Sequence, residues 1–226
     1  QAAFLRRYGV DPSLITPVNM TVDVSGIKRY LNEHTNAGLE FRKRFNLPTT
    51  SPVVLFLARL LPEKGLTDLL EAWEIVTRRL PKAHLVIVGD GELAPVVQAA
   101  SSDRLHSLGR LSGEDVWQAY AAADVFVSPS HNEGWGLTVN EAMAADVPVI
   151  ITESFGCIAD LAVHNETACI LPVARPDLLA EALERTIANQ AWRERLRAGA
   201  REKIADWTIE AQAHRITQIW RACLSS

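Results

Sequence analysis

Two glutamates, Glu133 and Glu141, stand eight residues apart around Gly134-Trp135-Gly136-Leu137-Thr138. Paired carboxylates can act as general acid and base, and their separation tests that role. Apolar Val125-Phe126-Val127 stops at Ser128-Pro129 and an amphipathic run begins near Gly136, which puts Glu133 on a loop and Glu141 inside a helix. If the intervening segment is mostly helical, a rise of about 1.5 Å per residue holds the carboxylates ~10–12 Å apart. A retaining glycosidase pair needs ~5–5.5 Å and an inverting pair ~6.5–9.5 Å, so a two-carboxylate hydrolase is disfavoured. The glycines let backbone N–H groups come close to a ligand, and the helix start adds its positive dipole end. An anion with hydroxyls on both sides suits such a turn. The plain alternative is a tight turn anchored by Trp135 between two solvated charges.

A second constellation carries the matching charge. In Ala58-Arg59-Leu60-Leu61-Pro62-Glu63-Lys64-Gly65, two cations stand five residues apart across a proline-containing turn. Arg offers a planar fork and Lys a compact charge, a combination suited to a diphosphate, although such a pair alone is more often a solvated surface loop. Gly89-Asp90-Gly91-Glu92 resembles the opening of a dinucleotide turn but lacks the third glycine of G-x-G-x-x-G, and a tight turn into a helix explains it equally. Gly109-Arg110-Leu111 is a turn glycine or a place where the backbone of Arg110 and Leu111 meets a base edge. In that company Glu133 and Glu141 read as grips on the two ends of a nucleotide sugar. His131 sits at a strand exit and could donate a proton, but without an orienting partner it reads as a loop residue. Neither a Ser/His/Asp arrangement nor HExxH occurs.

These residues need a frame that gathers them. Short apolar runs at Val53–Leu57, Leu85–Val88, Leu105–Leu108, Val125–Val127, Val147–Ile151 and Cys169–Leu171 predict strands, with an earlier one at Ile15–Asn19. Helical patterns fall between them at Leu66–Leu80, Glu92–Ser101, Glu114–Ala122 and Leu137–Ala145. Strict alternation predicts an α/β fold, a Rossmann-like parallel sheet with helices on both faces, and near-continuous apolar strands fit a sheet covered twice. Ligands of such sheets bind beyond the carboxyl ends of the strands, where every polar or glycine cluster named above falls. After Pro172 the chain reads as helical at Asp177–Asn189, Ala191–Ala205 and Thr208–Cys223, with no sheet left to cover. The organisation is an amino-terminal segment of helix and strand (1–50), a core (51–174) and a helical carboxyl-terminal extension (175–226).

Composition narrows the class further. The 226 residues are 48% hydrophobic with a net charge of −4, enough for a full core and without the basic patch a nucleic-acid partner would need. Cys157, Cys169 and Cys223 are odd in number and lack zinc-type spacing. No apolar run approaches the ~18 residues of a spanning helix. A cytoplasmic protein is expected, and Gln1 in place of Met points to a piece of a longer polypeptide.

Together these residues resemble the carboxyl-terminal, donor-binding half of retaining glycosyltransferases of the two-Rossmann-domain (GT-B) type, in particular family 4. The likeness covers nearly the whole chain. It rests on Gly9-Val10-Asp11-Pro12, the Ala58–Gly65 stretch, Val88-Gly89-Asp90-Gly91-Glu92 and Leu108-Gly109-Arg110. Tyr120 to Ser130 and the E-x7-E element from Glu133 to Glu141 complete it. The resemblance implies that Arg59 and Lys64 neutralise a diphosphate while Glu133 holds hydroxyls of the transferred hexose, these three forming the catalytic set. It places Glu141 on the ribose, the turn of Gly134, Trp135, Gly136, Leu137 and Thr138 on phosphate or sugar oxygens, and Gly89, Gly91, Gly109, Arg110 and Leu111 around the nucleotide. It implies a nucleotide-sugar donor, a glycan, lipid-linked or small-molecule acceptor, no cofactor and no metal. The acceptor-binding amino-terminal domain would lie outside this chain, and the full-length enzyme would be cytoplasmic, at the inner face of the membrane where its acceptor is lipid-linked. A GT-B epimerase, a glycogen-synthase-like enzyme and a non-catalytic or split nucleotide-binding module are the rival readings. Ala145-Asp146 replaces the common Cys-Gly, and Gly156 to Asp160 departs from Gly-Gly-x-x-Glu.

Overall fold

A computed structural model describes residues 2–18 and 20–224. Six strands form one parallel sheet: β1 (Val53–Leu57), β2 (His84–Val88), β3 (Leu105–Ser107), β4 (Val125–Ser128), β5 (Val149–Thr152) and β6 (Cys169–Leu171). Their order is β3-β2-β1-β4-β5-β6, so the chain reverses its direction of travel across the sheet between β1 and β4. That reversal opens a crevice at the carboxyl ends of the strands.

Alternate strand residues enter two separate cores, which is why the strands are apolar throughout. Val53, Leu55, Val86 and Phe126 face one core with α2 (Val24–Glu33), α3 (Ala37–Arg44), α6 (Glu114–Ala122) and α7 (Leu137–Ala144). Val54, Phe56, Ile87 and Val127 face the other with α4 (Leu66–Arg79), α5 (Ala94–Ala100) and α8 (Pro176–Ala188). The helix α9 (Gln190–Ile204) reaches both, through Trp192 and Leu196 on one side and Ala200 and Ile204 on the other. A six-residue helix, α1 (Ala2–Arg7), begins the described chain, and α10 (Ile209–Leu224) ends it.

Three sequence expectations change. No strand forms at residues 15–18, and Asn19 lies outside the described residues. The segment follows a single 3-10 turn at Pro12–Leu14, is largely exposed, and joins neither edge strand of the sheet, β3 or β6. Second, the helices after Pro172 do have sheet to cover. Helix α8 lays buried Leu179 and Leu183 beside Ile150 and Cys169 in the core that α4 and α5 leave open. Third, the amino-terminal segment holds two core helices, α2 and α3, whose bounds the sequence reading did not draw. Asp23 caps α2 by accepting from the Gly26 N–H at 2.8 Å, a recognisable start signal.

The sheet also contains an acid-sensitive pair. His84 and His106 on neighbouring strands approach to 3.0 Å between ring nitrogens. Burial lowers both below the usual histidine range, and for His84 the neighbouring His106, Arg104 and Arg42 add to it. A histidine lowered in the folded state binds protons more readily when unfolded, so its stability contribution holds above an unfolded pKa of about 6.5 and falls away below it. Melting temperature is therefore expected to fall more steeply between pH 7 and pH 5 for the parent than for a His106→Gln variant. Parallel slopes would remove the pair as the cause.

Candidate active site

The loops leaving β1, β2 and β3 are tied to one another through their backbones. The Ala58 N–H donates to the Val88 carbonyl at 3.2 Å, Leu60 to Asp90 at 2.9 Å and Gly89 to Gly109 at 2.8 Å. They wall an open cavity of about 570 Å³ at the strand ends, within the range of small-ligand sites. Arg59, Gly89, Gly91, Arg110, Leu111 and Thr138 all line it. Arg59 and Arg110 are exposed and make no ion pair with the described residues, which leaves two free cations at the cavity wall.

Lys64 ends a single 3-10 turn at Pro62–Lys64, and its ammonium lies 2.7 Å from the Glu133 carboxylate. Its side chain is 12% exposed and that of Glu133 23%. A cation delivered after β1 thus meets a carboxylate delivered after β4, the adjacent strand. The same two loops touch again where the His131 N–H donates to the Glu63 carbonyl at 2.8 Å. The His131 ring stands 2.7 Å from Asp68, in the first turn of α4. His131 therefore has the orienting partner that its sequence neighbourhood does not show.

Beyond Glu133 the chain turns through Gly134 and Trp135 into α7, with Gly136 at its N-cap. No side chain caps this helix, so the Leu137 and Thr138 amides at its first turn are available to an anion. The turn is braced from below by backbone: the Gly156 N–H donates to Glu133 at 3.0 Å and Cys157 to Trp135 at 3.2 Å. Trp135 itself points elsewhere. Its indole N–H donates to Asn140 at 3.1 Å and its ring stacks on Trp207 at 5.7 Å, so it offers a ligand only its backbone. Asp146, at the end of α7 where the resembled family has glycine, holds a left-handed φ of 62° and is gripped by Arg201 at 2.7 and 3.1 Å.

Glu141 does not face the same partners as Glu133. It accepts a 2.9 Å hydrogen bond from the hydroxyl of Tyr120, which is fully buried on α6. Burial pushes Glu141 above the usual carboxylate range, and the Tyr120 hydroxyl draws it partly back. The two carboxylates are engaged by different partners on different elements. Sequence reasoning did not single out Asp68 or Tyr120, although Tyr120 opens one of the quoted signatures. Among the described residues, no three His, Cys, Asp or Glu side chains gather as for a metal ion.

The chain resembles known proteins in keeping with this geometry. It is 32% identical over 189 residues to the GDP-mannose-dependent monoacylated alpha-(1-6)-phosphatidylinositol monomannoside mannosyltransferase of Corynebacterium glutamicum, covering 79% of this chain and 49% of that protein. It is 36% identical over 162 residues to the putative teichuronic acid biosynthesis glycosyltransferase TuaC of Bacillus subtilis, covering 72% and 39%. A glycosyltransferase from Rickettsia africae superposes with a TM-score of 0.84 at 19% identity over 98% of this chain and 60% of that one. Anabaena HepE in complex with UDP gives 0.80 at 18% over 98% and 61%. At such identities these structures establish the fold alone, one Rossmann-like half of a GT-B enzyme. The chain spans about half the length of the curated relatives it matches. The family model of glycosyl transferases group 1 matches residues 39–203, and the chain belongs to that family.

Proposed function

We propose that this chain is the donor-binding half of a retaining hexosyltransferase, which takes a hexose from a nucleoside-diphosphate sugar and passes it to a glycan, lipid-linked or small-molecule acceptor. The observation that carries this reading is the convergence of Lys64 and Glu133 at 2.7 Å beside the first turn of α7. Cleavage of the bond from the anomeric carbon to the diphosphate oxygen builds negative charge on the leaving group and oxocarbenium character on the sugar. In this reading Lys64, Arg59 and the amides of Leu137 and Thr138 receive that charge, which is electrostatic transition-state stabilisation without a metal. Glu133 takes the hexose hydroxyls, Glu141 the ribose, and the cavity between Gly89, Gly91 and Leu111 the base. The GDP-mannose dependence of the mannosyltransferase relatives and the UDP bound to HepE support a nucleotide donor. The relative acting on a phosphatidylinositol mannoside supports a lipid-linked acceptor, hence work at the inner face of a membrane. No described helix is long and apolar enough to cross one.

A thermal-shift panel tests the donor site. At 100 times its Kd, the preferred nucleoside diphosphate should stabilise the chain by about 2.7 kcal/mol. For a chain of this size that raises the melting temperature by roughly 5–11 °C. UDP, GDP, ADP and their sugars all failing to shift it at millimolar concentration would sink the reading. Transfer by the full-length enzyme should persist in excess EDTA.

A further inference from the structure

The Tyr120 side chain fills the core, and its hydroxyl meets the Glu141 carboxylate. Tyr120 has no exposed surface, and its ring packs 5.7 Å from that of Phe126. Its hydroxyl lies 2.9 Å from Glu141 Oε2 and 3.3 Å from the Thr138 carbonyl, both acceptors on α7. One proton shared between those oxygens ties the carboxylate to the first turn of α7, which has no side-chain cap. Burial holds the Tyr120 hydroxyl well above the usual tyrosine range, which keeps it a donor. Tyr120 engages Oε2, and no hydrogen bond from a described residue reaches Oε1.

We infer that Tyr120 is a positioning residue for nucleotide recognition, holding Glu141 so that its second carboxylate oxygen accepts from the donor ribose. This rests on the proposed assignment of Glu141 to the ribose. It adds a residue that touches no ligand and acts through another.

The test is isothermal titration of this chain with the nucleoside diphosphate that the panel selects, with its 2′,3′-dideoxy analogue, and with inorganic pyrophosphate. In the parent, a charge-assisted hydrogen bond to ribose should make the ribonucleotide roughly 10- to 100-fold tighter than the dideoxy form. Tyr120→Phe keeps the ring in the core and removes only the hydroxyl. It should compress the ratio to within about threefold while pyrophosphate affinity stays at the parental value. Glu141→Gln should compress the same ratio, and adding Tyr120→Phe to it should compress it no further. A Tyr120→Phe protein that keeps the full ratio overturns the inference. So does one whose pyrophosphate affinity falls in step, because the residue then acts by packing alone, and so do additive effects in the double variant. Failure of the underlying reading looks different: the parent itself would not distinguish ribose from dideoxyribose, or would bind no nucleotide.

Discussion

Replacing Lys64 by alanine should weaken binding of the nucleoside diphosphate by about 10- to 100-fold, the range of a hydrogen bond to a charged group. In the full-length enzyme, turnover should fall by roughly 10²–10³-fold, as expected when one donor to a developing negative charge is removed. The ammonium is held at 2.7 Å by Glu133 on a side chain only 12% exposed, so it is already in place when the donor arrives. Lys64→Arg should recover only part of the affinity, because a planar fork does not reproduce a compact charge in a closed setting. The alanine variant also strands Glu133, and with 23% of that side chain exposed the loss of folding stability should be about 1 kcal/mol. Titration calorimetry and single-turnover kinetics separate the two effects. Binding within threefold of the parent would remove Lys64 from the diphosphate site.

Gly65→Ala should lower the stability of the chain by about 3 kcal/mol, combining left-handed backbone strain with overpacking. The backbone of Gly65 has φ +67°, and an added Cβ would stand 1.9 Å from the Pro129 carbonyl oxygen. That contact is where the Lys64 turn rests on the strand exit leading to Glu133, so the substitution separates the cation from the carboxylate as well. The expected fall in melting temperature is roughly 6–12 °C, and the stabilisation by nucleoside diphosphate should shrink with it. Gly109→Ala is the control. It has nearly the same positive φ, +65°, but its added Cβ meets nothing within 4 Å, so strain alone remains, about 1 kcal/mol. Equal losses in the two variants would show that the Gly65–Pro129 contact does not brace the site.

Much of the frame was legible because it is written locally. Apolar runs such as Val53–Leu57 and Val125–Val127 are buried on both faces, and a strand covered twice has a signature within its own few residues. Asp23 and the apolar positions Val24, Ile27 and Tyr30 carry a local signal of the same kind for α2, which the sequence reading left undrawn. The segment at Ile15–Asn19 misled because β-rich composition cannot report whether a partner strand exists, and the sheet ends at β3 and β6. For α8, the number of strands left open by α4 and α5 decided its place, and only the assembled sheet shows that number.

Of the site, the sequence by itself determined which residue types leave each strand, and hence that cations, glycines and carboxylates share one edge of a parallel sheet. It also determined the family. Only the tertiary structure decided who meets whom: Lys64 with Glu133 across 69 positions, Asp68 with His131 across 63, and Tyr120 with Glu141 across 21. It also turned Trp135 away toward Trp207. Periodicity encodes neighbours within one element, whereas these contacts join loops and helices that the assembled sheet brings together. The carboxylates of the E-x7-E element are close in sequence, yet what each can do is set by partners contributed from the loop after β1 and from α6.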